Sequence, residues 1–241
     1  MEHKLFEKLL TETCKSLTLT AQKEKISSKG LEDYVVATLS KNCPKYGFSS
    51  NQVSISSDYT SEQIFPDISI GEYGIEVKHT TGNKWRCIGN SINEGHRNKN
   101  VKFIYIIYGK MGGTPEVKWG RYEESVVHVR SSHRLRFEVE VPGKPEDNLF
   151  DKMGISYTDF SEIDYSEKMK YVRKYAKDQQ MKNNRYIWWL DEPKTTSQMI
   201  KDLFFHLNID DENIVINKNG IWKNYDKENS MMLLEKEGKN C

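Results

Sequence analysis

The spacing of apolar residues predicts the elements of the chain before any chemistry is considered. Leu5, Phe6, Leu9, Leu10 and Leu17 recur at helical intervals, which predicts a helix within residues 1–25. Leu31, Val35 and Leu39 fall at i, i+4 and i+8 behind Ser27-Ser28 and Gly30, so a second helix runs from there to Cys43-Pro44. Gln52–Ser56 alternates, with Val53 and Ile55 on one face, as a half-buried strand does. Two strands follow, Asp67–Ile70 and Ile75–Lys78, joined by the turn Gly71-Glu72-Tyr73-Gly74. Ser91–Arg97 reads as a short helix. Lys102–Tyr108, KFIYIIY, is apolar nearly throughout and predicts a central strand covered on both faces. Further strands are expected at Val126–Arg130 and Arg136–Val141. The sum is an α/β fold, a mixed central β-sheet flanked by helices in an α/β/α arrangement.

The pattern changes near Pro142. PGKPEDN reads as a linker, and beyond it strands thin out. Asp164–Asn183 predicts a long helix, Thr195-Thr196 a cap for another through Leu207, and Lys218-Asn219-Gly220 a hairpin turn. Residues 1–145 are therefore expected as a core domain. Residues 146–241 are expected as a mainly helical C-terminal extension with a hairpin, a candidate for DNA binding or dimerisation.

Composition narrows the class. Hydrophobic residues are 37%, charged residues 29% and aromatics 11%, which describes a folded chain with a heavily charged surface. No apolar run is long enough to span a bilayer, and the N-terminal segment lacks the separate apolar region of a signal peptide. The four cysteines are too scattered for a zinc knuckle, so a reduced, cytoplasmic protein is expected. The net charge of +1 gives no global sign of a polyanionic partner, and any such sign must be local.

The local signal is Pro66–Lys78, PDISIGEYGIEVK. Glu76 and Lys78 stand two apart in a strand and leave the same face, while Ile75 and Val77 turn into a core. Asp67 opens the neighbouring antiparallel strand, so one hairpin gathers two carboxylates and an ammonium. Hard oxygen ligands of this kind suit a magnesium ion that keeps waters and a substrate phosphate in its remaining positions. A lysine among carboxylates stays protonated and serves as an electrostatic group.

Pro66-Asp67 and Glu76-Val77-Lys78, in this order of elements, resemble the PD-(D/E)XK nuclease superfamily, which includes most type II restriction endonucleases. The resemblance covers roughly residues 25–141 and rests on few residues. It implies a Mg2+-dependent, site-specific endonuclease acting on double-stranded DNA, with Asp67 and Glu76 as metal ligands and Lys78 as the catalytic cation. A homodimer is implied by the two strands to be cut. Gly30-Leu31-Glu32 looks like the family's N-terminal helix, which makes Glu32 a fourth catalytic candidate; it reads equally as a helix-surface glutamate. Asp58 and Glu62 are further acids nearby, and Glu62 or Glu72 is a substitute if a ligand is misassigned.

Candidate DNA contacts follow the lysine. Lys84, Arg86, Asn90, Asn93, Arg97 and Lys99 offer donors to phosphates and base edges, and Arg130 and Arg134 form a second basic stretch with His133 and Arg136. Both stretches read alternatively as polar surface. His79 and His96 are weaker candidates, because a magnesium site prefers oxygen. The basic helix around Lys168–Lys182 and Trp188-Trp189 are further surfaces to place. Two rival functions stay open: a repair or recombination nuclease of the same superfamily, and a binding module that kept the fold without catalysis.

Overall fold

The computed structural model describes residues 2–55, 64–93, 97–131, 135–183, 187 and 190, with the backbone alone at 215–216 and 222–223. Asp58, Glu62, His96, His133, Arg134, Arg185, Trp188, Trp189 and the helix expected from Thr195 to Leu207 lie outside the described residues. The chain divides into two compact units, Met1–Asn183 and Asn184–Cys241. In the second, Val215–Ile216 pairs antiparallel with Trp222–Lys223, as the hairpin signal predicts.

The first unit opens with two helices, α1 (Glu2–Ala21) and α2 (Ser28–Asn42). Ser27 caps α2 by accepting a hydrogen bond from the Gly30 N–H at 3.0 Å, which satisfies one donor that the first turn leaves open. A five-stranded mixed sheet follows, built from β1 (Val53–Ile55), β2 (Ile68–Ile70), β3 (Tyr73–Thr80), β5 (Phe103–Lys110) and β6 (Glu116–Arg121) in the order β1-β2-β3-β5-β6. β3 and β5 are parallel, and the other pairings are antiparallel. The mixed sheet with flanking helices is the fold class that the sequence predicts.

One face of this sheet carries Ile68, Ile70, Ile75, Val77, Tyr105, Ile107 and Val117 into a core with Phe6, Leu9, Leu10, Leu17, Leu31, Val35 and Leu39 from the helices. That burial is the main stabilising term, at about 25 cal/mol per Å² of apolar surface. α1 also shields the outer edge of β6. The Thr18 hydroxyl accepts from the Val117 N–H at 2.9 Å, and the Trp119 indole donates to Thr11 at 3.0 Å, so the edge is closed to further pairing.

The opposite face meets a second sheet, which the sequence reading did not separate from the first. β4 (Arg86–Ser91), β7 (Val126–Ser131) and β8 (Leu135–Glu140) form a three-stranded antiparallel sheet in the order β4-β8-β7. Where a short helix is expected at Ser91–Arg97, none of the described residues is helical. Ser91 closes β4, Ile92-Asn93 turn, and Arg97 bridges to Phe65. β4 has a weak strand pattern, and pairing with β8 decides its conformation: Cys87 sits opposite Val139 and Arg86 opposite Glu140. β6 and the helices α3 (Tyr122–Ser125), α4 (Leu149–Met153) and α5 (Tyr157–Glu162) complete the unit with α6 (Tyr165–Asn183), the long helix read at 164–183. Phe150 and Phe160 pack on Phe137 of β8. No helix among the described residues is long and apolar enough to cross a membrane.

The hairpin that carries the candidate site is tighter than expected. Ile70 pairs with Tyr73, so only Gly71 and Glu72 form the loop, with Gly71 at φ 57°, a backbone conformation that favours glycine. Gly74 lies beneath Pro66 and Val101. A Cβ there would sit 2.3 Å from Pro66 Cγ and 2.6 Å from Val101 Cγ1. Gly74→Ala is therefore expected to destabilise the fold by roughly 2 kcal/mol through overpacking. Thermal denaturation should show a fall of roughly 4–8 °C; an unchanged midpoint would mean that the Pro66 segment is free to give way.

Candidate active site

The site lies where the sheet parts. β2 pairs with β3 only through Ile68↔Ile75, Ser69↔Gly74 and Ile70↔Tyr73. One step further in the same register places Asp67 opposite Glu76, beyond the end of β2. The Val77 N–H, which has no β2 carbonyl to meet, donates instead to Asp67 Oδ2 at 2.8 Å. The aspartate thus takes the place of a missing strand residue and is fixed against β3.

Strand alternation does the rest. Ile75 and Val77 enter the helix-covered core, and Glu76 and Lys78 leave the other face. Lys78 Nζ donates to Glu76 Oε1 at 2.5 Å, with the lysine side chain 21% exposed and the glutamate side chain 4%. Glu76 Oε2 is buried with no hydrogen-bond donor in place. Its neighbouring carboxyl, Asp67, can donate to it only when protonated.

The electrostatics follow from this crowding. Burial, then the negative charge of Glu76, push Asp67 up to about 7, against the pull of Lys78 and the Val77 N–H. Burial alone would lower Lys78, but Glu76 and Asp67 outweigh it and its pKa is raised, so its ammonium form is held. Glu32 is raised as well, by burial and then by Asp67, with Lys29 and Lys78 pulling the other way. The structure therefore brings Glu32 within electrostatic reach of both Asp67 and Lys78, although it also stands 3.7 Å from Lys29.

Two carboxylates in contact, one with a buried unpaired oxygen, are short of a positive charge. A hard divalent cation would supply it, since magnesium is commonly bound by one or two carboxylates with water filling the remaining positions. Asp67 and Glu76 fit that ion. Among the described residues no three acidic, histidine or cysteine groups converge into a full protein cage.

The basic candidates are dispersed. Cys87 feels the charge of Lys78 and so faces the cluster; Arg86, its neighbour in β4, projects from the other face. Arg86 pairs there with Glu140, and Arg130 with Glu138 at 2.7 Å. Arg97 lies over the Tyr157 ring at 5.1 Å, half-buried. Lys84, Asn93 and Lys99 are exposed, and Asn90 is half-buried in β4. His79 leaves the core face, its Nε2 3.0 Å from the Ile26 carbonyl, and is structural. Glu72 pairs with Lys102 on the exposed hairpin. A cavity of about 620 Å³ between α1 and β6 is lined by none of Asp67, Glu76, Lys78 or Glu32.

Sequence reading missed Cys87 and Tyr108, which line the cluster through β4 and β5. Their signal is tertiary: Tyr108 stands opposite Lys78 in the parallel β3–β5 register.

A raised carboxyl pKa has a definite sign in stability. Between the unfolded value and about 7 the folded state binds more protons at Asp67 than the unfolded state does, so stability falls as pH rises through that window. Asp67→Asn keeps an acceptor for the Val77 N–H and removes the charge. The variant is expected to exceed the wild type by on the order of 2 kcal/mol at pH 8 and by little at pH 4. Denaturant titrations at the two pH values check this; a variant less stable at pH 8 would contradict it.

No protein-family model matches the chain and no curated protein matches it, so the chemistry of this site rests on its own geometry.

Proposed function

We propose that this chain is a Mg2+-dependent endonuclease that hydrolyses phosphodiester bonds in double-stranded DNA, of the site-specific, type II restriction-like kind and acting as a homodimer. The observation that carries the reading is the pairing of half-buried Asp67 with buried Glu76, with an unpaired Glu76 oxygen and the Lys78 ammonium on the same face. The resemblance of Pro66-Asp67 and Glu76-Val77-Lys78 to PD-(D/E)XK nucleases points the same way.

Asp67 and Glu76 would hold the magnesium ion, which when bound lowers the pKa of water and offsets charge on a phosphate. Asp67 is kept in place by the Val77 N–H, so it need not reorganise. Lys78 neutralises Glu76 before substrate arrives and then stands beside the reacting phosphate as a fixed cation, the kind of preorganised charge that favours the transition state. Glu32, on α2, orients water at the open side of the cluster. In the reaction a water oxygen bonds to phosphorus as one P–O ester bond breaks. The proton of the water passes to solvent, and the leaving oxygen takes one up.

Purified protein incubated with unmethylated plasmid and phage DNA should give discrete bands with magnesium and none with EDTA. Asp67→Ala and Glu76→Ala should lower cleavage by at least about 10³-fold while duplex binding persists, whereas Glu32→Gln should retain part of the activity. An Asp67→Ala enzyme that cuts at the wild-type rate would overturn the assignment. Tight duplex binding without cleavage of plain, branched or mismatched DNA would favour a binding module.

A further inference from the structure

The register of the central sheet extends the site beyond the carboxylates. Lys78 of β3 is paired with Tyr108 of β5, and Tyr108 with Lys118 of β6. Val77, Ile107 and Val117, the residues just before these three, all enter the helix-covered core, so Lys78, Tyr108 and Lys118 form a row across the opposite face. Two strand spacings separate the lysine backbones, roughly 10 Å. Tyr108, between them, is wholly buried against Trp85, so the two lysines reach solvent at opposite ends of the row, a separation that a few nucleotides of one DNA strand cover at about 3.4 Å each.

The far end of the row is built as a rigid platform. The Trp85 ring lies 5.7 Å from Tyr108 and 4.4 Å from Lys118 Nζ. The Tyr108 hydroxyl donates to the Lys84 carbonyl at 3.3 Å. Below, the buried Lys110 ammonium donates to Asn83 Oδ1, Gly112 O and Thr114 O at 3.1, 3.0 and 2.8 Å. The two loops touch backbone to backbone, because a Cβ on Gly112 would sit 2.5 Å from the Gly82 carbonyl carbon. Lys84 is thereby presented on a loop that cannot swing away.

Both ammonium groups at this end are available to a polyanion. Lys118 has an exposed partner, Glu116 at 3.3 Å, with the side chains 37% and 42% exposed, and a screened pair of this kind is worth little. Lys84 is exposed and has no ion pair among the described residues. Arg86 and Arg130, by contrast, are already paired on the outer face of the second sheet.

We infer that Lys84 and Lys118, beside Trp85, form a phosphate-binding subsite for the backbone of duplex DNA, at the far end from Lys78 of the row whose buried middle is Tyr108. The inference rests on the nuclease reading and adds to it the path of the substrate strand. Its test is equilibrium binding of a fluorescent duplex, with calcium replacing magnesium, over a series of salt concentrations. Lys84→Gln/Lys118→Gln should bind about tenfold more weakly at low salt. The slope of log K against log salt should be shallower by about 1.8, that is 0.9 for each lost phosphate contact. Lys174→Gln/Lys177→Gln on exposed positions of α6 should stay within about twofold of wild type. Circular dichroism melting confirms that each variant is folded.

If the α6 variant carries the loss and the Lys84/Lys118 variant binds as wild type does, the subsite is wrong while the nuclease reading stands. A wild-type protein that neither cleaves nor binds duplex DNA would overturn both.

Discussion

Two carboxyl groups and one ammonium, the glutamate buried and the other two half-buried, share one face of the central sheet, and the rest of the site is arranged around that crowding. Glu76 is 3% exposed, and an ionised carboxylate in such a place is tolerated only when it is paired. Lys78 satisfies one of its oxygens and leaves the other open. Asp67 stands opposite because β2 ends one residue short and a carboxylate takes over the hydrogen bond that a strand would have made. Three local choices thus leave a deficit of positive charge at one point.

The scaffold accounts for how this strain is borne. The core face of β3 is packed by α1 and α2, whose leucines and phenylalanine are wholly buried. The parallel pairing with β5 runs the full length of β3, from Tyr73↔Phe103 to Thr80↔Lys110. The strand is therefore held on its core side and along one edge. Only its other edge, past Ile75, is free to receive Asp67. α2 is fixed by its Ser27 cap and by Leu31 and Val35 in the core, and Glu32 follows Leu31 to the rim of the cluster.

Much of this was legible in the residues. The alternation Ile75-Glu76-Val77-Lys78 and the glycines of the hairpin state which side chains meet, since both depend on local geometry alone. KFIYIIY was readable as a doubly covered strand for the same reason. Elements whose conformation is decided by distant partners were not legible. β4 is a strand because β8 lies beside it, and the helix read at Ser91–Arg97 gave way to the end of that strand. The division into two sheets has the same origin. So does the fate of the arginines. Arg86 and Arg130 look like free cations in the sequence, but Glu140 and Glu138 on the neighbouring strand β8 claim them. Lys118 carried no signal in its own segment, and only the β3–β5–β6 register brings it into line with Lys78.

The proposed site depends on Asp67 and Glu76 together holding a divalent cation. A crystal structure of the wild-type protein grown with manganese, read by anomalous scattering, tests it most directly, since carboxylate sites that suit magnesium also accept manganese. The account predicts one ion peak in contact with an oxygen of each of Asp67 and Glu76, at about the 2.1 Å typical of such coordination, with Glu76 Oε2 as a ligand. A protein saturated with manganese that shows no ion there, with Lys78 still paired to Glu76 and Asp67 bonded only to Val77 and its neighbour, would contradict it.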